Sequence, residues 1–427
     1  MDNTAKTYCK YFFNHVALYN GMDAVPCCRY DSRISTSPTV TRGKPFTTFT
    51  QAIYSDNWNE LRRKSINGER ENGCWKCYED EERGNKSLRN IANEMGQQEI
   101  YDEIKIEYLE VNLGNYCNLA CNICSSHNSD KWYEDDLALG KYPELGRASS
   151  FSIADYKKNG ITDIDLNLED YKDVNLIKFV GGEPMIHPKF MPMLDFLIEH
   201  GLHEQMQIQV FTNASWVPKK RIIERLAQFK TVTISLSIDG VKEVNDYSRY
   251  PSKWNVVEES ARKWVTLGRD LECVNVRIEP TLSVYNALNI IDLIKWWIEL
   301  TMEIRDKPFH EAIYNDHLDD INIILNSIYE PNYLSSNILP AKSIPNKRIS
   351  EFDAGIKPMY WIEENDQAKN MVKGLRSILA EIKAHINADT DPGKLKSFIK
   401  FTRTLDKQRK NNIQEQLPEL WDIVLTG

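Results

Sequence analysis

Cys117, Cys121 and Cys124 crowd a short loop directly behind the apolar run Tyr108 to Leu113. A loop at the C-terminal end of a strand is where barrel-type enzymes build their sites. Thiolates favour zinc or iron–sulfur clusters. Three ligands on one loop leave a fourth coordination position open, so a three-cysteine cubane would carry one iron free to bind a substrate or cofactor.

The rest of the chain narrows the setting. Eight of the nine cysteines, at 9, 27, 28, 74, 77, 117, 121 and 124, lie in the first third of 427 residues, with Cys273 apart. An odd number behind a polar start, Met1-Asp2-Asn3-Thr4, suits metal ligation in a reducing compartment better than a disulfide framework. No apolar run approaches the roughly 20 residues a spanning helix needs, so the expectation is a soluble, cytoplasmic protein with no membrane partner. A net charge of -9 is the wrong sign for holding nucleic acid over a broad surface.

A chain of this length is too long for one compact core. Three regions are expected: a cysteine-rich segment over 1–99, a core over 100–300 and a largely helical extension over 301–427. The first shows little sustained periodicity and a charged stretch from Glu79 to Arg83. A metal is expected to substitute for a small core there.

From about 105, short apolar strands alternate with longer segments, the pattern of β/α units around a parallel sheet. The predicted strands are Tyr108 to Leu113, Leu176 to Val180, Gln207 to Thr212, Thr231 to Ile238 and Val274 to Leu282. Val232, Ile234, Leu236 and Ile238 share one face of the fourth, and Thr231, Thr233, Ser235 and Ser237 the other. The fifth sets Val274, Val276 and Ile278 against Asn275, Arg277, Glu279 and Thr281; the third sets Ile208 and Val210 against Gln207 and Gln209. A parallel sheet covered on both sides should be apolar on both. One polar face on successive strands predicts a sheet curved around a wet cavity, the alternative being an antiparallel sheet with one solvated face. Helical spacing predicts helices over Phe190 to His200, Lys219 to Phe229, Ile290 to Leu300, Asp366 to Ile386 and about 394–410, with a long insertion from Ser125 to Asn175.

The C-x3-C-x2-C spacing after a strand resembles the signature of the radical S-adenosylmethionine (SAM) enzymes, and three further segments continue the resemblance over roughly 105–290. Gly181-Gly182-Glu183-Pro184 is similar to the family's GGEP segment, which implies that its backbone and Glu183 hold the methionine amino group. Thr212-Asn213 and Ser237-Ile238-Asp239-Gly240 are similar to the ribose and carboxylate contacts, with Ser235, Arg277 and Arg249 as further cofactor-side residues. Ile123 stands where many members carry an aromatic residue near the adenine, so the adenine is expected against apolar and backbone groups near Ser283 to Tyr285. The resemblance implies an incomplete (β/α)6 barrel, a [4Fe–4S] cluster on Cys117, Cys121 and Cys124, SAM as cofactor, and an external one-electron reductase of flavodoxin or ferredoxin type. It also implies reductive cleavage of SAM to a 5′-deoxyadenosyl radical that takes hydrogen from a substrate.

Cys9, Cys27-Cys28 and Cys74-Trp75-Lys76-Cys77, with Asn20-Gly21, resemble the auxiliary-cluster domains called SPASM and twitch, here placed before the core. Glu81, Gly84, Ser87 and Arg89 continue that resemblance. It implies a second [4Fe–4S] cluster on Cys9, Cys27, Cys74 and Cys77, with Cys28 as the alternative to Cys27 and Cys273 as a buried bystander. A four-cysteine structural zinc site is the competing reading. The substrate class stays open between a peptide or protein side chain and a small molecule that is dehydrogenated. An idle metal-binding adaptor is the competing class. The catalytic residues proper are unknown.

Other constellations are weaker. Asp163, Asp165, Asn167 and Glu169 start like a calcium loop, but Leu168 and Val174 stand where a glycine and a glutamate are needed. His200 and His203 are expected as surface residues at a helix end. Lys394, Lys396, Lys400, Arg403, Lys407, Arg409 and Lys410 give the last helix a basic face, solvated or a clamp for an acidic substrate. Asp406, Arg409 and Pro418-Glu419-Leu420 resemble the C-terminal tail of the twitch-type subgroup. Arg277 and Glu279 either brace the sheet as an ion pair or leave Arg277 to bind a carboxylate.

Overall fold

Short runs of β-branched and aromatic residues build the sheet. The strands are β1 (His15–Tyr19), β2 (Asp23–Val25), β3 (Tyr108–Asn112), β4 (Leu176–Val180), β5 (Gln207–Thr212), β6 (Thr231–Leu236), β7 (Val274–Ile278), β8 (Thr281–Leu282) and β9 (Asn326–Ser327). This computed structural model describes residues 7–19, 23–32, 34, 49–82, 84, 86–94, 103–140, 166, 168–306, 322–356, 366–389, 391 and 393–426. The sheet order is β2-β1-β3-β4-β5-β6-β7, with β8 and β9 paired separately. The architecture is α/β, an open sheet of partial-barrel type with a mainly helical C-terminal part.

Two strands were not expected. β1 pairs parallel with β3, His15 opposite Tyr108 and Leu18 opposite Val111, and β2 returns antiparallel along β1. The segment that carries the first cysteines therefore contributes to the sheet itself. The expected fifth strand is interrupted, ending at Ile278 and resuming as β8 after Pro280. Proline has no N–H for a ladder. The fourth likewise stops at Leu236 instead of Ile238.

Contacts divide the chain into two compact units. The first comprises Met1–Tyr116, Ser152–Val210 and Glu224–Val232. There β3, β4 and β5 are parallel, with Leu109 opposite Ile177 and Ile177 opposite Ile208. These residues are fully buried, and Phe179 meets Phe190 of the Phe190–Glu199 helix edge-on at 5.0 Å. The metal-for-core expectation is corrected by an aromatic cluster of Tyr8, Tyr11, Phe12, Phe13, Tyr30 and Leu61. Trp58 Nε1 and Arg62 Nε both donate to the Phe12 carbonyl, at 3.1 and 2.8 Å. Consecutive aromatics at 11–13 supply large apolar area in little sequence.

The second unit comprises Cys117–Phe151, Phe211–Ile223 and Thr233–Gly427. Its long helices are Trp254–Asp270, Ile290–Arg305, Asp366–Asn387 and Gly393–Arg409. Val274, Val276 and Ile278 of β7 are buried while Asn275 and Arg277 are partly exposed, the two-faced pattern expected from alternation. Phe398 is buried and packs on Tyr285, ring centroids 5.3 Å apart. The expected calcium-loop residues Asp163, Asp165 and Asn167, with Asn20, Gly21 and Arg83, lie outside the described residues. Among the described residues no helix is long and apolar enough to cross a membrane.

Leu293 is fully buried on the inner face of the Ile290–Arg305 helix. Leu293→Ala is expected to destabilise the second unit by about 2–5 kcal/mol, read as a lower urea midpoint by circular dichroism.

Candidate functional site

Cys117 and Cys121 are buried and Cys124 half-buried, with Leu119 and Ile123 packed among them. The loop is held from outside by its backbone: Ala120 N–H donates to the Tyr250 carbonyl and Asn122 N–H to the Ser248 carbonyl, both at 2.7 Å. Trp132 Nε1 donates to the Cys121 carbonyl at 3.1 Å, and Asp130 Oδ1 accepts from Cys117 N–H at 3.2 Å. Donors also face the sulfurs. Leu119 N–H lies 3.4 Å and Asn213 Nδ2 3.9 Å from Cys117 Sγ, and Arg249 Nη1 lies 4.0 Å from Cys121 Sγ.

Several expected cofactor residues gather in the same unit. Asn213 Nδ2 donates to Asn118 Oδ1 at 2.9 Å, and its Oδ1 accepts from Ser215 Oγ at 2.6 Å. Asn118 and Ser215 thus join the site, and Asn118, inside the cysteine motif, was the available signal. Thr212 Oγ1 accepts from Ala214 N–H at 3.3 Å, and the Thr212 carbonyl from Ser237 N–H at 2.7 Å. Asp239, 1% exposed, pairs with Arg249 at 2.8 Å and accepts from Thr281 N–H at 2.8 Å. Arg277 pairs with Glu279 at 2.7 Å and donates to Ser235 Oγ at 3.0 Å, the brace arrangement. Tyr285 is taken up in core packing, its hydroxyl 3.1 Å from Thr402 Oγ1.

In the first unit, the Gly181-Gly182-Glu183-Pro184 turn folds onto the end of β3. Gly182 N–H donates to the Gly114 carbonyl at 2.8 Å and Glu183 N–H to the Tyr116 carbonyl at 2.9 Å. Gly181 has φ +113°, and a Cβ on Gly182 would lie 2.2 Å from the Tyr116 carbonyl oxygen. Only glycine fits this double approach. Glu183 is 1% exposed, and Pro184 opens a short 3-10 turn.

The same unit brings the four expected N-terminal cysteines together. Cys9, Cys27, Cys74 and Cys77 line one recess with Tyr11, Tyr30, Arg29 and Arg89. Cys28 is exposed and stands outside that lining. Arg29 pairs with Asp80 at 2.5 Å, and Arg89 with Glu81, while Arg89 Nη1 donates to the Tyr8 carbonyl at 3.1 Å. Cys9 N–H is fixed by Ser65 Oγ at 3.0 Å. Cys273 is half-buried, more open than the buried bystander expected. His200 Nδ1 bonds the Phe196 carbonyl at 2.8 Å, and His203 packs edge-on against Phe229, so both are spent on their helix ends.

Burial pushes the Cys9 and Cys124 thiols up to about 12, and those of Cys27 and Cys74 well above the usual range. Burial likewise raises Cys121, opposed by the nearby Arg249 guanidinium. Thiols in such surroundings ionise when a metal binds them. Both cysteine groups therefore fit a metal cluster by donor chemistry, and the N–H groups aimed at sulfur fit iron–sulfur ligation in particular. Among the described residues no three His, Cys, Asp or Glu side chains converge on a single-ion site.

Residues 111–278 match the model of the Radical SAM superfamily. That segment is a radical SAM domain. A curated relative, the S-adenosylmethionine-dependent nucleotide dehydratase of Selenomonas ruminantium, is 25% identical over 211 residues, 47% of this chain and 66% of that one. Among solved structures, Streptococcus suis SuiB bound to S-adenosylmethionine aligns at TM-score 0.33 and 17% identity, covering 58% of this chain and 45% of that one. Native anSMEcpe with bound AdoMet and Cp18Cys peptide aligns at TM-score 0.36 and 15% identity, covering 59% and 61%. The chain thus spans less than two thirds of each of these proteins. A radical SAM domain implies a [4Fe–4S] cluster and SAM as its cofactors.

Gly182→Ala forces a Cβ into a backbone carbonyl, a strain of about 1–3 kcal/mol. The variant is expected to keep its iron and to bind SAM about tenfold more weakly or worse, measured by anaerobic equilibrium dialysis.

Proposed function

We propose that Cys117, Cys121 and Cys124 hold the SAM-binding [4Fe–4S] cluster and that Cys9, Cys27, Cys74 and Cys77 hold a second, auxiliary cluster of twitch or SPASM type. The single observation that carries this reading is the grouping of the four N-terminal thiols in one recess. Four thiols in one recess supply the four protein ligands that a closed [4Fe–4S] cluster takes, and the resemblance to twitch and SPASM domains favours that cluster over a four-cysteine zinc site. The domains are read as 1–99 for the auxiliary cluster, 100–300 for the radical SAM core and 301–427 for the helical extension.

With its cofactors bound, the enzyme cleaves SAM reductively and generates the 5′-deoxyadenosyl radical that takes a hydrogen atom from the substrate. The chain's own part is to bind, orient and exclude water. The glycines at 181 and 182 let the backbone come close, and Glu183 offers a buried carboxylate to the methionine amino group. Asn213, Ser237 and Asp239 supply polar groups at strand ends for the ribose and carboxylate, and Arg249 faces the Cys121 sulfur. Thr212, Ser235 and Arg277 support these from the adjacent strands, Arg277 through Glu279 and Ser235. Four protein thiolates leave the auxiliary cluster closed to substrate and suited to electron transfer, which favours a net redox outcome without fixing the substrate; the resemblance to twitch and SPASM enzymes leans towards a peptide or protein side chain. An external flavodoxin- or ferredoxin-type reductase supplies the first electron.

A second reading is a small-molecule substrate, favoured by the name of the Selenomonas relative, a nucleotide dehydratase. Stimulation of 5′-deoxyadenosine release by added nucleotides, with conversion of the nucleotide, separates the two.

Anaerobic incubation with SAM and dithionite is expected to release 5′-deoxyadenosine, and Cys121→Ala to abolish it. Iron analysis of the anaerobically purified protein is expected to give about eight irons per chain and no zinc. Cys74→Ala should lose about half the iron while SAM cleavage uncoupled from substrate persists. Stoichiometric zinc in place of that half would overturn the auxiliary-cluster assignment.

A further inference from the structure

The C-terminal helix Gly393–Arg409 ends against the three-cysteine loop, within the same unit. Arg409 donates to both carboxylate oxygens of Asp135, Nη2 to Oδ2 at 2.7 Å and Nε to Oδ1 at 3.2 Å, and Nη1 donates to Asn122 Oδ1. Asn122 is the residue between Cys121 and Ile123, inside the metal-binding motif. The guanidinium lies between two rings, 5.0 Å from the Trp132 centroid and 4.9 Å from that of Tyr250. Its side chain is 4% exposed and that of Asp135 6%. Such a buried, forked and stacked contact fixes geometry rather than adding surface charge.

Both rings that flank Arg409 also touch the loop. Trp132 bonds the Cys121 carbonyl, and the Tyr250 carbonyl accepts from Ala120 N–H. One turn earlier on the helix, Asp406 Oδ1 accepts from the Tyr247 hydroxyl at 2.8 Å and Oδ2 from Ile413 N–H at 2.8 Å. Tyr247 belongs to the segment that carries Arg249, whose Nη1 faces Cys121 Sγ. One helix end therefore grips both the loop that bears the thiols and the segment that sends a donor to one of them.

We propose that Arg409 is a positioning residue for the SAM-binding cluster: through Asn122, Asp135, Trp132 and Tyr250 it sets the shape of the Cys121–Cys124 turn and the N–H···S contact from Arg249. This rests on reading Cys117, Cys121 and Cys124 as the cluster ligands. A positive charge beside the thiolates also favours the more negative, reduced state of the cluster. Arg409 touches no substrate in this scheme.

The test uses the full, anaerobically reconstituted chain in four forms: wild type, Arg409→Gln, Arg409→Lys and Lys407→Gln, the last an exposed lysine on the same helix. Far-ultraviolet circular dichroism and iron content report folding. Electron paramagnetic resonance of the dithionite-reduced protein, titrated with SAM, reports the site. Arg409→Gln is expected to keep its helicity and at least the N-terminal iron, to need about tenfold more SAM for the spectral change, and to show a more negative midpoint potential. Arg409→Lys, which keeps charge but not the fork, should restore the potential and only part of the SAM response; Lys407→Gln should match wild type. Wild-type potential and SAM dependence in Arg409→Gln would overturn the proposal. Should that variant fail to fold, Asn122→Ala, which cuts only the loop side of the contact and keeps the charge, decides by its SAM dependence: a wild-type response would overturn the proposal. A wild-type signal indifferent to SAM would instead overturn the cluster reading, and this inference with it.

Discussion

Thiols buried away from water do not ionise unaided, and the arrangement of this protein follows from that constraint. Desolvation favours the protonated form, and it raises Cys9, Cys27, Cys74, Cys77, Cys121 and Cys124 alike. A group of thiols so placed is inert until cationic metal enters among them. The surroundings supply compensation at both places: Arg29 and Arg89 line the N-terminal recess, and Arg249 and Arg409 stand near the loop thiols. Each of these cations has a carboxylate of its own, Asp80, Glu81, Asp239 and Asp135 respectively, so none is left as a bare buried charge.

The sheet gives these sites their precision. Strands placed side by side deliver loops whose ends are fixed by ladder hydrogen bonds, and the functional segments sit directly after β3, β4, β5 and β6. The two glycines after β4 extend that economy. By dispensing with side chains they let one turn rest on the carbonyls of Gly114 and Tyr116, immediately ahead of Cys117 in sequence.

Much of this was legible from residue patterns, and the exceptions have physical causes. Alternation in β6 and β7 marked their buried and polar faces because a one-sided core imposes a period of two. β1 and β2 escaped notice because five and three residues are too few to establish a period, and HVALY follows an aromatic run that reads equally well as a helix. The break at Pro280 could have been foreseen, since proline inside a strand pattern argues for an interruption. The cysteine sets were visible as spacing. That Cys27 rather than Cys28 lines the recess was not, because adjacent residues differ only in the direction the backbone gives them. Arg409 was marked by its resemblance to the twitch-type tail, but its role was not, because its partner Asn122 lies 287 positions away and a contact of that separation leaves no local trace.

The parallel pairing of β1 with β3 has a consequence for how the molecule comes into being. Ribosomes add about 5–20 residues per second, so His15 emerges several seconds before Tyr108, the strand residue it must lie beside. During that interval the N-terminal cysteines belong to a segment without its neighbour, and Tyr108 is also part of the apolar packing around Cys9. The recess is therefore completed only once β3 has been translated, well after Cys77, its last cysteine, has emerged.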